Sequence, residues 1–151
     1  MKKFLLLFII SIIPLNLFAQ AKVNNIVAPV SYFINHIQQL NQIKTNLEKY
    51  RQTSIVGISG MGKTQLARMY AYGNKDNYNL IWFIDCNLNI NDELLKLAKA
   101  INKAEGKTVI AEEAANVKKE LMEYLGQSDK WLLVFDNLKV GENKKVQDFI
   151  N

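Results

Sequence analysis

Residues 57–64 read Gly-Ile-Ser-Gly-Met-Gly-Lys-Thr and match G-x-x-x-x-G-K-[ST] at every fixed position. No other feature restricts the fold as tightly. Glycine permits dihedrals that a side chain forbids, so successive backbone N–H groups can turn inward around phosphate oxygens. The pattern puts the Lys63 ammonium at the β- and γ-phosphates and the Thr64 hydroxyl on magnesium. A helix starting at the loop adds its positive dipole end. The flanks supply the required context. Ser54-Ile55-Val56 is a short β-rich run, and Leu66, Ala67, Tyr70 and Ala71 mark a helix that stops near Gly73-Asn74. The candidate nucleotide-binding residues are Gly57, Ser59, Gly60, Met61, Gly62, Lys63, Thr64 and Gln65.

The rest of the chain alternates helical and extended patterns. Ser31 is an expected N-cap for a helix ending near Arg51, with Phe33, Ile37, Leu40, Ile43 and Leu47 on one stripe. Residues 80–84 and 131–135 are continuously apolar, as strands buried on both faces are. Between them, Asn91 or Asp92 is expected to cap a helix with Leu94, Leu95, Ala98 and Ile101 inward. A turn near Gly106 leads to a second helix over 111–125, with Ala114, Val117, Leu121, Tyr124 and Leu125 on its stripe. Buried strands separated by helices predict an α/β fold, a P-loop NTPase-like parallel sheet of about three strands with flanking helices, incomplete as such sheets go.

A phosphate loop needs a carboxylate to hold magnesium at the end of a neighbouring strand. Asp136, following 131–135, is the expected partner of Thr64 in that role, and Asp85, ending 80–84, is the competing candidate. The cofactor expected is Mg2+ with ATP or ADP, the choice between nucleotides being open.

The remaining chemistry-bearing residues read as structural. His36 has no second histidine or Cys-x-x-Cys to share a metal with. Cys86, the single cysteine, reads as a small buried hydrophobe, and Trp82 and Trp131 as core. The formal charge of +5 comes from scattered lysines, with arginine only at 51 and 68, so a nucleic-acid partner is disfavoured.

The run from Ser54 through Gly57, Lys63 and Thr64 to Leu66-Ala67 resembles the NB-ARC domains of STAND-type signalling NTPases. Ile81-Trp82-Phe83 is similar to their second strand, and Leu132-Leu133-Val134-Phe135-Asp136-Asn137 to their Walker B strand. The resemblance spans residues 30–138. It implies a switch module that holds ADP or ATP, with a protein partner engaged through a C-terminal region that this sequence lacks. Two departures stand out. Ile34-Asn35-His36 replaces the family's Gly-Arg-Glu, and Asn137 occupies the place where many members carry a second acid. An AAA-like ATPase acting on nucleic acid or protein, and a non-functional fragment that keeps the motif, are the alternative readings.

The first twenty-one residues form a separate unit ahead of a 22–151 domain. Lys2-Lys3 is a basic start, residues 4–15 are almost wholly apolar, and Ala19-Gln20-Ala21 supplies a small-x-small cleavage pattern, which together predict a signal peptide. A helix over 4–19 would span about 24 Å at ~1.5 Å per residue, short of a ~30 Å hydrocarbon core. A stable membrane span is therefore not expected. A short anchor and a buried N-terminal helix are the other readings. Export sits badly with a site that needs ATP, so the cytoplasm is the alternative compartment. If the leader is processed, N-terminal sequencing of the mature protein should start at Lys22, or at Gln20; an intact Met1 in a cytoplasmic fraction would contradict this.

Overall fold

The computed structural model describes residues 3–11, 22–32, 36–113, 115–127, 130–139 and 146, with 3–11 described by backbone alone. Five strands and four helices follow the chain in the order β1 (Lys3–Ser11), β2 (Val23–Asn24), α1 (Ile37–Tyr50), β3 (Gln52–Ile58), α2 (Lys63–Gly73), β4 (Leu80–Asp85), α3 (Ile90–Glu105), α4 (Val117–Gln127) and β5 (Trp131–Lys139), with a 3-10 turn at Lys75–Asn77. The class is mixed α/β, as the sequence pattern implied.

The sheet order is β2-β4-β5-β1-β3. β2, β4 and β5 are parallel neighbours. β1 lies antiparallel to both β5 and β3. This corrects the expectation of a simple sheet of about three parallel strands that includes the one before the glycine loop. The parallel trio is β2, β4 and β5, and β3 stands apart from it across β1. The physical reason is backbone satisfaction: β3 needs a ladder partner, and the extended N-terminal segment supplies one along Lys3 to Ile9. Two reversals of direction restore β3 to the direction of β4 and β5, so the C-terminal ends of all three lie at one edge.

Residues 3–11 are a strand, so the alternative of a buried N-terminal helix is corrected. The Ala19-Gln20-Ala21 cleavage pattern lies outside the described residues. Among the described residues no helix is long and apolar enough to cross a membrane.

Each face of the sheet carries one core. Ile81, Leu132 and Val134 pack with Ile43 and Leu47 of α1 and Leu66, Ala67, Tyr70 and Ala71 of α2. The alternate residues Leu80, Trp82, Ile84, Trp131, Leu133 and Phe135 pack with α3 and α4. This period-2 division explains the continuously apolar strands. Trp82, Trp131 and Cys86 are buried as core residues.

Several element ends differ from the sequence pattern for local reasons. α1 starts after His36, with no side-chain cap, and Ile37 is 69% exposed because the stripe meets the sheet only from Leu40 onward. Phe33 lies outside the described residues. α3 is capped by the Asn89 side chain, which accepts from Asn91 N–H at 2.9 Å, rather than by Asn91 or Asp92. α4 starts at Val117, not 111, because buried Asn102 clamps the preceding segment. Its Oδ1 accepts from Val109 N–H at 2.8 Å and Ile110 N–H at 3.0 Å, and its Nδ2 donates to Ile110 O at 2.8 Å.

β1 makes seven register pairs with each neighbour. At ~1 kcal/mol net per hydrogen bond, losing two such ladders is comparable to the ~5–15 kcal/mol stability of a whole domain. A chain beginning at Lys22 should therefore lose cooperative thermal unfolding monitored by Trp82 and Trp131 fluorescence. An unchanged melting transition would show that β3 finds another partner.

Candidate functional site

The glycine loop leaves the C-terminal end of β3 and enters α2 directly. Gly60 and Gly62 have φ of +83° and +76°, the left-handed region that glycine occupies without strain. Gly57 needs no such freedom; a Cβ there would meet only Lys63 Cδ, at an ordinary 3.8 Å. Gly62 N-caps α2, and Lys63 is the first helical residue. The loop therefore delivers N–H groups of a helix start to the sheet edge, where an anion is favoured.

Side chains of the loop take distinct directions. The Lys63 ammonium donates to Ile58 O at 2.7 Å, folding back over its own loop. Ser59 and Met61 are exposed, so the loop presents them to solvent. The Gln65 side chain accepts from Val30 N–H at 3.1 Å and ties α2 to the segment after β2.

Thr64 makes the decisive contact. Its Oγ1 donates to Asp136 Oδ1 at 2.9 Å, joining residues 72 positions apart in sequence. Period-2 alternation sets this up. Leu132 and Val134 face α1 and α2, so Asp136 does as well. On β4 the same face carries Ile81 and Phe83, and hence Asp85, which is in register with Asp136. Both sequence candidates for the acidic partner thus stand side by side, and the Thr64 contact falls to Asp136.

Asn137 was not readable as a structural device. Leu7 pairs with Phe135 and Leu5 with Leu138, so β5 spends one residue more than β1 over this step. That is a β-bulge, and Asn137 adopts φ +64° in it, a conformation asparagine tolerates better than most residues. The bulge turns Leu138 into the α3–α4 core and aims the Asn137 amide at Asp85, with Nδ2 donating to Oδ1 at 2.9 Å. The Asn137 N–H donates to Asp136 Oδ1 at 2.8 Å.

Behind Asp85, buried Glu93 accepts weakly from the Asp85 N–H at 3.4 Å and pairs with Lys96. The Glu93 hydrogen bond, then its charge, holds the exposed Lys96 ammonium above its ordinary pKa. No group of three or more metal-ligating side chains occurs among the described residues. The site offers one hydroxyl and a carboxylate pair, donors that suit magnesium, which keeps several of its waters.

Comparison with known proteins yields no match. Neither a family model, nor a curated protein, nor a solved structure matches the chain.

A separate cavity of about 290 Å³ lies between α1 and α2, lined by Leu47, Glu48, Tyr70, Asn74, Tyr78 and Lys130 among others. It contains the Tyr70–Tyr78 hydroxyl pair, 3.2 Å apart, whose pKa values burial raises, so both phenols stay neutral. It lies at the other end of β5 from Asp136.

The bulge gives a test of its own. Asn137→Val places a β-branched side chain at positive φ and deletes the bond to Asp85. We expect a loss of roughly 1–3 kcal/mol in chemical unfolding, whereas Asn137→Gly, which keeps the conformation, should lose less. Equal losses would mean that the positive φ is not retained in solution.

Proposed function

We propose that this protein binds an adenine nucleotide, ADP or ATP, with magnesium at the loop of residues 57–64. The observation that carries the reading is the 2.9 Å contact between Thr64 Oγ1 and Asp136 Oδ1, at the shared edge of β3, β4 and β5. A hydroxyl and a carboxylate meet there beside the N–H groups that open α2. Thr64 and Asp136 would hold the magnesium, directly or through water, and the bound ion would neutralise phosphate charge. Backbone N–H groups of Ser59, Gly60, Met61, Gly62, Lys63, Thr64 and Gln65 are the proposed phosphate donors. Lys63 would exchange the Ile58 carbonyl for phosphate oxygens, replacing a neutral acceptor by a charged one.

The adenine choice and the wider role rest on the resemblance to NB-ARC domains, which suggests a switch module whose partner-binding state depends on the nucleotide. That reading places the protein in a compartment that holds ATP. It competes with the leader reading of the first twenty-one residues, under which the protein is exported.

Equilibrium binding of a fluorescent ATP analogue tests the site. Lys63→Ala deletes one charge-assisted contact worth ~1.5–3 kcal/mol, so affinity should fall roughly ten- to a hundredfold. Thr64→Ala should weaken binding in magnesium and leave binding in EDTA nearly unchanged. Native affinity in Lys63→Ala would mean that nucleotide binds elsewhere.

A further inference from the structure

We infer that Asp85 is a second working carboxylate of the magnesium–nucleotide site: it accepts hydrogen bonds from metal-bound water and is held in place by Asn137. The inference rests on the proposed nucleotide site and extends it to a residue on a different strand.

Three observations carry it. First, alternation along β4 and β5 brings Asp85 and Asp136 to the same face, in direct register, at the edge where the glycine loop ends. Neighbouring strands lie ~4.8 Å apart, so the two carboxylates share one small region. Both are only partly buried, which leaves them open to solvent ions.

Second, the protein's own donors engage one oxygen of each carboxylate. Asp136 Oδ1 accepts from Thr64 Oγ1 and from Asn137 N–H. Asp85 Oδ1 accepts from Asn137 Nδ2 at 2.9 Å and from Asn87 N–H at 3.0 Å. Among the described residues no hydrogen bond reaches Oδ2 of either. A carboxylate ordinarily accepts more donors than this, which leaves the outer oxygen of each for water or an ion.

Third, the β-bulge spends a residue on this pair. Without it, Asn137 would face the α3–α4 core on simple alternation; with it, Leu138 takes that core position and Asn137 bridges the acids. One residue touches both carboxylates, through its backbone N–H on Asp136 and its side-chain amide on Asp85. The end of β4 sets a second acid beside Asp136, and the Asn137 amide fixes its orientation. Asp85 is therefore a positioning residue that acts on water around the ion, whereas Thr64 and Asp136 are the residues nearest to it.

The test is ATP binding by the full chain in excess Mg2+ and in EDTA, comparing native protein with Asp85→Asn and Asn137→Ala. Outer-shell partners of metal sites are worth roughly ten- to a hundredfold in affinity. Asp85→Asn should lose about tenfold in the magnesium arm. In EDTA it should bind ATP as well as native protein or better, because a negative charge near the polyphosphate is gone. Asn137→Ala should lose less, again only with magnesium. A purely structural role would weaken both arms together, and that result overturns the inference, as does native magnesium dependence in Asp85→Asn. If Asp85→Asn fails to fold by circular dichroism, Asn137→Ala decides by the same criterion. Failure of the native chain to bind ATP in either arm would instead remove the nucleotide site itself, and the inference with it.

Discussion

The two ladders of β1 carry the sheet hydrogen bonds that connect β3, which leads into the glycine loop, to β5, which carries Asp136. The contact between Thr64 and Asp136 depends on that connection. β3 and β5 are two strand spacings apart, ~10 Å, and a helix with its side chains is ~10–12 Å across. α2 therefore spans the gap. It starts from the end of β3, packs on β5 through Leu132 and Val134, and sets Thr64 beside Asp136. Because β1 runs against both neighbours, β3 keeps the direction of β4 and β5, and their ends coincide. A strand parallel to β5 in that slot and antiparallel to β3 would send the loop to the opposite edge.

The bulge is the second device that the site depends on. Regular alternation alone would bring Asp85 and Asp136 to one face without a residue that links them. One additional residue on β5 places Asn137 between them, and the core accepts the change because Leu138 fills the vacated inward position. Local strain at a positive φ is thus offset by two hydrogen bonds and an apolar contact, in a place where sheet irregularities often re-aim side chains.

Much of this was legible beforehand. The loop motif, the helix after it and the two buried strands each carry signals within ten residues of themselves, and each falls where the pattern put it. Asp136 could be chosen because it follows an apolar run, although β5 continues past it to Lys139, and Asp85, the last residue of β4, was a rival on the same argument. What the sequence could not show is long-range. The pairing of residues 3–11 between β3 and β5 is a contact across more than forty positions, and an apolar run with a basic start reads equally as a leader. The bulge at Asn137 depends on register with β1, which no local pattern encodes. The late start of α4 depends on Asn102, a buried side chain one helix away. The same residues, 3–11, cannot both leave the chain as a leader and hold β3 to β5, so processing at Ala19-Gln20-Ala21 would dismantle the sheet that brings the glycine loop to Asp136.

Isothermal titration calorimetry of the full chain with ADP and ATP asks whether this sheet edge binds a magnesium–nucleotide complex. Saturable binding of one nucleotide per chain is expected, tighter in Mg2+ than in EDTA. No saturable heat with either nucleotide, under conditions where the protein is folded, would contradict it.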